Sequence, residues 1–192
     1  YDKYISKTAI YCNDRSIGSG TYSMSNSFYY GTYTRLYSNK TPSYKCGGNG
    51  TGGLFESTQA IEDKFSASTT SGGNGKLTYS IALMTADEIS FAGGAYYIKL
   101  SSPYAWYYTN SAMGSITGRN EWWLLSPCFF NDSYSSVFYV AGTSSDWGRL
   151  HDSDVEVYSS VRPVISLSPC AKVTGTGTST DPYMIDTNAS RC

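Results

Sequence analysis

Apolar positions are densest in three short segments of the second half of the chain, Glu121–Ser126, Ser136–Ala141 and Val161–Leu167, each a strand candidate. Lys76–Met84, KLTYSIALM, mixes alternation with an apolar run and predicts a buried strand. It leads straight into Thr85-Ala86-Asp87-Glu88, a capping box in which Thr85 and Glu88 satisfy each other's backbone amides. Ile89, Phe91 and Ala92 supply the apolar side of the helix that follows, and Gly93-Gly94 stops it. Tyr1–Ser16 holds a short amphipathic stretch before YCNDRS, while Ile17–Thr34 and Ala95–Tyr108 read as loops rich in Ser, Tyr and Gly or in aromatics. The tail Gly175–Ile185 ends in a further short strand. Between the strands at Ser136–Ala141 and Val161–Leu167 the sequence AGTSSDWGRLHDSDVEVYSS is polar and of mixed character. No repeat with a period of about 20–50 residues occurs, which excludes a solenoid or propeller. The expectation is an α+β fold, strand-rich, with one or two short helices and long loops. At 192 residues it forms one domain, 1–192.

Charge narrows the partners. Lys+Arg 14 against Asp+Glu 15 gives a net charge of -1, without the basic excess that a nucleic-acid or anionic-membrane surface demands. No apolar run approaches the roughly 18 residues of a membrane span, so no direct span is expected in this chain. With neither an initiating Met nor a signal peptide, it reads as a mature or trimmed fragment whose anchor lies elsewhere. The unusual feature is 19 Tyr, 19 Gly and 31 Ser, a mixture that antibody-like binding surfaces also use.

Five cysteines include no CxxC, and His151 is the only histidine, so a Cys/His zinc site is not expected. A disulfide in an oxidising compartment is the better reading, with at least one thiol left over. Cys12 and Cys46 flank the Ser/Tyr/Gly-rich loop and are expected to be bridged, which would contribute about 3–4 kcal/mol through the unfolded chain. The sequons at Asn39, Asn49, Asn131 and Asn188 arise readily by chance in a chain this rich in Ser and Thr.

Candidate chemistry is sparse. Gly48, Gly50 and Gly53 formally satisfy GxGxxG, but no strand precedes them and the segment is a flexible turn. His151 has Asp152 and Asp154 beside it, yet no GxSxG elbow exists to make a triad. Asp132, Asp146, Asp152, Asp154 and Glu156 cluster locally without EF-hand spacing, which reads as a solvated acidic loop rather than a calcium site. Neither enzymatic activity, a cofactor nor a metal is expected.

The succession YCNDRS (11–16), RLYSNKTPSYKC (35–46), GNGKLTYSIALMTADEISFAGG (73–94), WWLLSP (122–127), VRPVISL (161–167) and GTGTSTDPYMI (175–185) spans nearly the whole chain. It resembles the C-type-lectin-fold domains of gut-bacterial surface proteins, often pilin-like, that serve as variable proteins of diversity-generating retroelements. In that family WxLSP opens a hypervariable segment and VRPV closes it on the core. The resemblance implies a C-type-lectin-like scaffold on the cell surface or a pilus, displaying residues rewritten by adenine-templated mutagenesis for binding rather than catalysis.

Mapped here, the variable ligand-binding segment is 128–160, with Tyr134, Tyr139, Ser144, Asp146, Arg149, His151, Asp152, Asp154 and Tyr158 as its contact residues. Trp147 fits either role and is kept with them. Seven of these side chains (Tyr134, Tyr139, Asp146, Arg149, His151, Asp154 and Tyr158) are expected to be largely exposed and clustered. Trp122, Leu124, Phe138 and Val164 are expected to be buried. The implied partner is a protein or glycan on another cell, a phage or a host surface. Pilus subunits are further candidate partners.

Two departures stand out: Ser160 replaces the usual Gly before VRPV, and Cys128 and Cys170 stand where the family has no cysteines. They either pair with each other, or Cys128 is a product of diversification. The sugar-binding Glu-Pro-Asn, Gln-Pro-Asp and Trp-Asn-Asp motifs are absent. The competing readings are a structural pilin or coat subunit varied for immune evasion and, more remotely, a formylglycine-generating-type enzyme, which needs a reactive cysteine pair.

Overall fold

A computed structural model describes residues 2–7, 9–21, 23–44, 60–64, 79, 81–101, 121–142, 146, 148–178 and 180–189. The fold is strand-rich with a few short helices, built on a five-stranded antiparallel sheet. Its strands in spatial order are β2 (Ile17–Ser19), β3 (Phe28–Tyr30), β5 (Trp122–Phe130), β6 (Ser135–Val140) and β7 (Leu150–Asp154). A separate pair joins β1 (Ile10–Asp14) to β4 (Ala60–Lys64), and β8 (Val173–Thr174) pairs with β9 (Met184–Ile185) near the C-terminus.

The period of two fixes the inner face of β5 and β6. Trp122, Leu124, Ser126 and Cys128 point inward from one strand, and Ser136, Phe138 and Val140 from the next. Trp122, Leu124 and Phe138 are thus buried as expected, whereas Val164 is only half-buried. The strand predicted to end at Ser126 continues to Phe130, because the β5–β6 register shifts on both sides of Pro127. A bulge accommodates the missing proline N–H and carries Cys128 into the core.

β7 lies in the segment that alternation alone left as mixed polar chain. Its inner positions are Leu150, opposite Val140, and Asp152, opposite Phe138. A carboxylate on an inner face hides the strand from a hydrophobicity reading. Val161–Leu167 forms no ladder: single bridges join Ser160 to Trp122, Val164 to Ala82 and Leu167 to Ile5. Pro163 has no amide to donate, and Val161, Ile165 and Leu167 remain exposed. Within the expected KLTYSIALM strand, only Ala82 bridges among the described residues.

The capping box forms as read. α2 (Ala86–Phe91) is preceded by Thr85, whose hydroxyl accepts from the Glu88 amide while the Glu88 carboxylate accepts from the Thr85 amide. The helix expected to be absent from Ile17–Thr34 begins there instead. α1 (Gly31–Tyr33) runs on into a π-helical segment, Thr34–Asn39, ending at the left-handed Lys40 two residues before Pro42.

This helical segment carries a buried ion cluster. Arg35 is 2% exposed. Its Nη1 donates to Asp14 Oδ2 at 2.7 Å, its Nε and Nη2 donate to Asp87 at 3.1 and 2.8 Å, and Nη2 reaches Thr32 Oγ1 at 3.1 Å. Burial works against the charged guanidinium, but hydrogen bonding and charge from Asp87 and then Asp14 outweigh it and raise its pKa. The motifs YCNDRS, RLYSNK and TADE are therefore one ion cluster in space. Above it the apolar core gathers Leu36, Ile89, Trp122, Phe138, Val140 and Leu150.

Candidate binding site

The helical segment also sets three rings on a spacing of four. Tyr29 in the middle of β3 stacks on Tyr33 (4.4 Å between centroids), and Tyr33 meets Tyr37 one turn later at 5.1 Å. Tyr33 and Tyr37 both meet the ring of Tyr96 edge-on, at 5.6 and 5.5 Å. Tyr96 and Tyr97 sit in a turn closed by the Ile98 amide donating to Ala95 O, and the Tyr97 amide donates to Leu150 O at 2.8 Å, tying the turn to β7. Tyr97 adopts φ +60, a left-handed conformation that a bulky side chain seldom occupies.

These rings wall a concavity of about 580 Å³, with Phe129 of β5, Tyr134 and Asp152 completing the lining. The volume lies within the range of small-molecule sites. Tyr134 is placed by an Asx turn between β5 and β6: the Asn131 carboxamide oxygen accepts from the Ser133 and Tyr134 amides, each at 2.9 Å. The sequon asparagine at 131 is thus engaged in a turn.

Among the described lining residues, Asp152 is the one bearing a formal charge. Its side chain is 11% exposed, with the Tyr96 hydroxyl donating to Oδ1 and the Ser136 hydroxyl donating to Oδ2 at 2.9 Å. Burial pushes the Tyr96 phenol well above its usual range, and burial together with the Tyr29 and Tyr37 phenols pushes Tyr33 up to about 12. Tyr33 and Tyr96 are therefore neutral across ordinary pH. Behind Tyr96, Cys128 is a free thiol, fully buried, and burial followed by the Asp152 charge pushes its pKa far up. It is chemically quiet.

The nominated residues divide in space. Tyr134 and Asp152 line the concavity. His151, on the opposite face of β7, lies beside Tyr97 (4.1 Å) and Tyr139 (5.4 Å), and Tyr139 meets Trp123 at 6.1 Å. The Arg149 guanidinium lies 5.9 Å over Tyr97 and pairs with Asp146 at 3.3 Å, while its Nε is buried without a hydrogen bond. Asp154 stands opposite Ser136 in the ladder, and Tyr158 is 99% exposed outside the concavity. The expectation of general exposure is corrected: Tyr134 (37%) and Tyr158 are exposed, but Tyr139, Asp146, Arg149, His151 and Asp154 are half-buried because most lie in or beside paired strands.

Ser144 and Trp147 lie outside the described residues, as do Cys46 and the side chain of Cys12, and with them the expected bridge. Cys170 is disulfide-bonded and Cys128 free, so those two do not pair. Sequence reasoning missed Tyr29, Tyr33 and Tyr37, although their four-residue spacing is a helical signal, and left Tyr96 and Tyr97 in an unspecified aromatic loop. Comparison with family models, curated proteins and solved structures returned no match to the chain.

Proposed function

We propose that the chain is a surface-displayed ligand-binding domain of C-type-lectin type, with a binding surface diversified between residues 128 and 160. The carrying observation is the convergence of tyrosine rings and one carboxylate on a single concavity, where a coat varied only to evade recognition has no reason to focus them. Tyr33, Tyr37, Tyr96 and Tyr97 lie outside the variable segment and act as a framework. Tyr134 and Asp152 are the rewritable part of the lining, and Tyr139, Arg149 and His151 form a separate group outside it, with Arg149 and His151 touching Tyr97. The ligand is a protein or glycan presented outside the cell.

An enzyme of the formylglycine-generating type needs two accessible thiols together. A buried free Cys128 and a disulfide-bonded Cys170 do not supply them.

The experiment is to sequence the encoding locus and its neighbourhood. The expected result is a reverse transcriptase gene and a near-copy of codons 128–160 that differs mainly at adenines. A locus with neither overturns diversification.

A further inference from the structure

The lining chemistry specifies the ligand more narrowly than "protein or glycan". Seven aromatic side chains line the concavity, and the face of an aromatic ring carries the negative lobe of its quadrupole. The one formal charge among the described lining residues is negative, at Asp152. A neighbouring cavity of about 360 Å³ across Tyr37 and Tyr96 carries Lys40, but the tyrosine-lined concavity has no cationic side chain in its described lining. The nearby Arg149 is paired with Asp146, and its position over Tyr97 shows that ring already acting as a cation acceptor.

Hydrogen bonding then separates one kind of cation from another. Both Asp152 oxygens already accept hydroxyl protons, from Tyr96 and Ser136. A primary ammonium brings three N–H donors, and the one lone pair left on each Asp152 oxygen cannot serve all three. A quaternary ammonium brings none: it needs aromatic faces and a nearby negative charge, and methyl groups that lose water on entry.

Resting on the binding-domain reading above, we infer that the tyrosine-lined concavity receives a quaternary ammonium group, with the framework tyrosines forming the cage and Asp152 setting the charge preference. Tyr97 is the rim ring: 51% exposed, it is held at positive φ by the turn that bonds to Leu150. Because Asp152 lies in the proposed variable segment, rewriting that codon changes the charge of the accepted ligand while the ring cage stays in place.

The test is titration calorimetry of the folded domain with three probes: choline, N-acetyl-trimethyllysine amide and the uncharged tert-butyl isostere dimethylbutanol. Choline or trimethyllysine is expected to bind at least about tenfold more tightly than the isostere, and the preference between the two distinguishes a headgroup from a modified protein side chain. Asp152→Asn is expected to lower cation affinity about tenfold and leave the isostere unchanged. If Asp152→Asn fails to fold, Tyr97→Ala on the exposed rim carries the test, with a similar loss expected, while Met24→Ala, at an exposed position outside the binding segment, binds as the parent does. Equal affinity for the cation and its isostere, or no cation binding at millimolar concentration, overturns the inference. Failure here beside a positive locus result removes the ligand class and leaves the diversified binder standing.

Discussion

Arg35 offers the most demanding test of how this fold is held together. Its guanidinium donates to the carboxylates of Asp14 and Asp87 and to the Thr32 hydroxyl. Asp14 is itself 4% exposed and also accepts from the Ser16 amide, and Asp87 accepts from the Ser43 amide at 2.8 Å. Replacing Arg35 with Met preserves most of the side-chain volume but strands two buried carboxylates without a counter-charge, at a cost of about 3–5 kcal/mol. Arg35→Lys keeps the charge but loses the planar fork, and with it at least one charge-assisted bond worth about 1.5–3 kcal/mol. The ordering is therefore parent, then Lys, then Met. Urea unfolding at constant pH, followed by far-ultraviolet circular dichroism with unchanged slope, measures both differences. The triple variant Asp14→Asn, Arg35→Met, Asp87→Asn separates charge from packing: removing both stranded charges should recover part of the Met loss. If Arg35→Met costs under about 1 kcal/mol, the cluster is not holding YCNDRS, RLYSNK and TADE together, and the reasoning fails.

Thr85→Ala removes the hydroxyl that caps α2 and should cost about 1 kcal/mol in thermal or urea unfolding; no change within roughly 0.3 kcal/mol would contradict the cap. Tyr33, raised from 10.0 to about 12 by burial and by the Tyr29 and Tyr37 phenols, favours the fold in its neutral form. That contribution is complete below pH 10.0 and is lost as pH rises through about 12, so tyrosinate absorbance should show a late-titrating phenol that Tyr33→Phe abolishes. Cys128 should be alkylated only as fast as the protein unfolds, read by peptide mass spectrometry, and labelling in the native state would contradict its burial.

Local rules carried the parts of this protein whose cause is local. The Thr85–Glu88 cap and the glycines after α2 depend on residues a few positions apart, so the chain alone determined them, whereas in the apolar runs WWLL and VFYVA only strand pairing decides that Trp122, Leu124 and Phe138 face inward. The charge balance and the tyrosine-rich composition likewise belong to the sequence: the first argued against phosphate binding, and the second by itself fitted a β-rich extracellular protein with polar loops better than a binding surface. Three other features depend on partners far along the chain. β7 is a strand because Asp152 finds Tyr96 and Ser136, 56 and 16 residues away, which makes a polar inner position tolerable. Arg35 is buried because Asp14 and Asp87, distant from it in sequence on either side, converge on its guanidinium. The concavity exists only where the turn at Tyr96-Tyr97 docks beside Leu150 and faces the Tyr29, Tyr33 and Tyr37 rings. Composition supplied the tyrosines, but a cage is a relation among rings distant in sequence, and only long-range packing creates it.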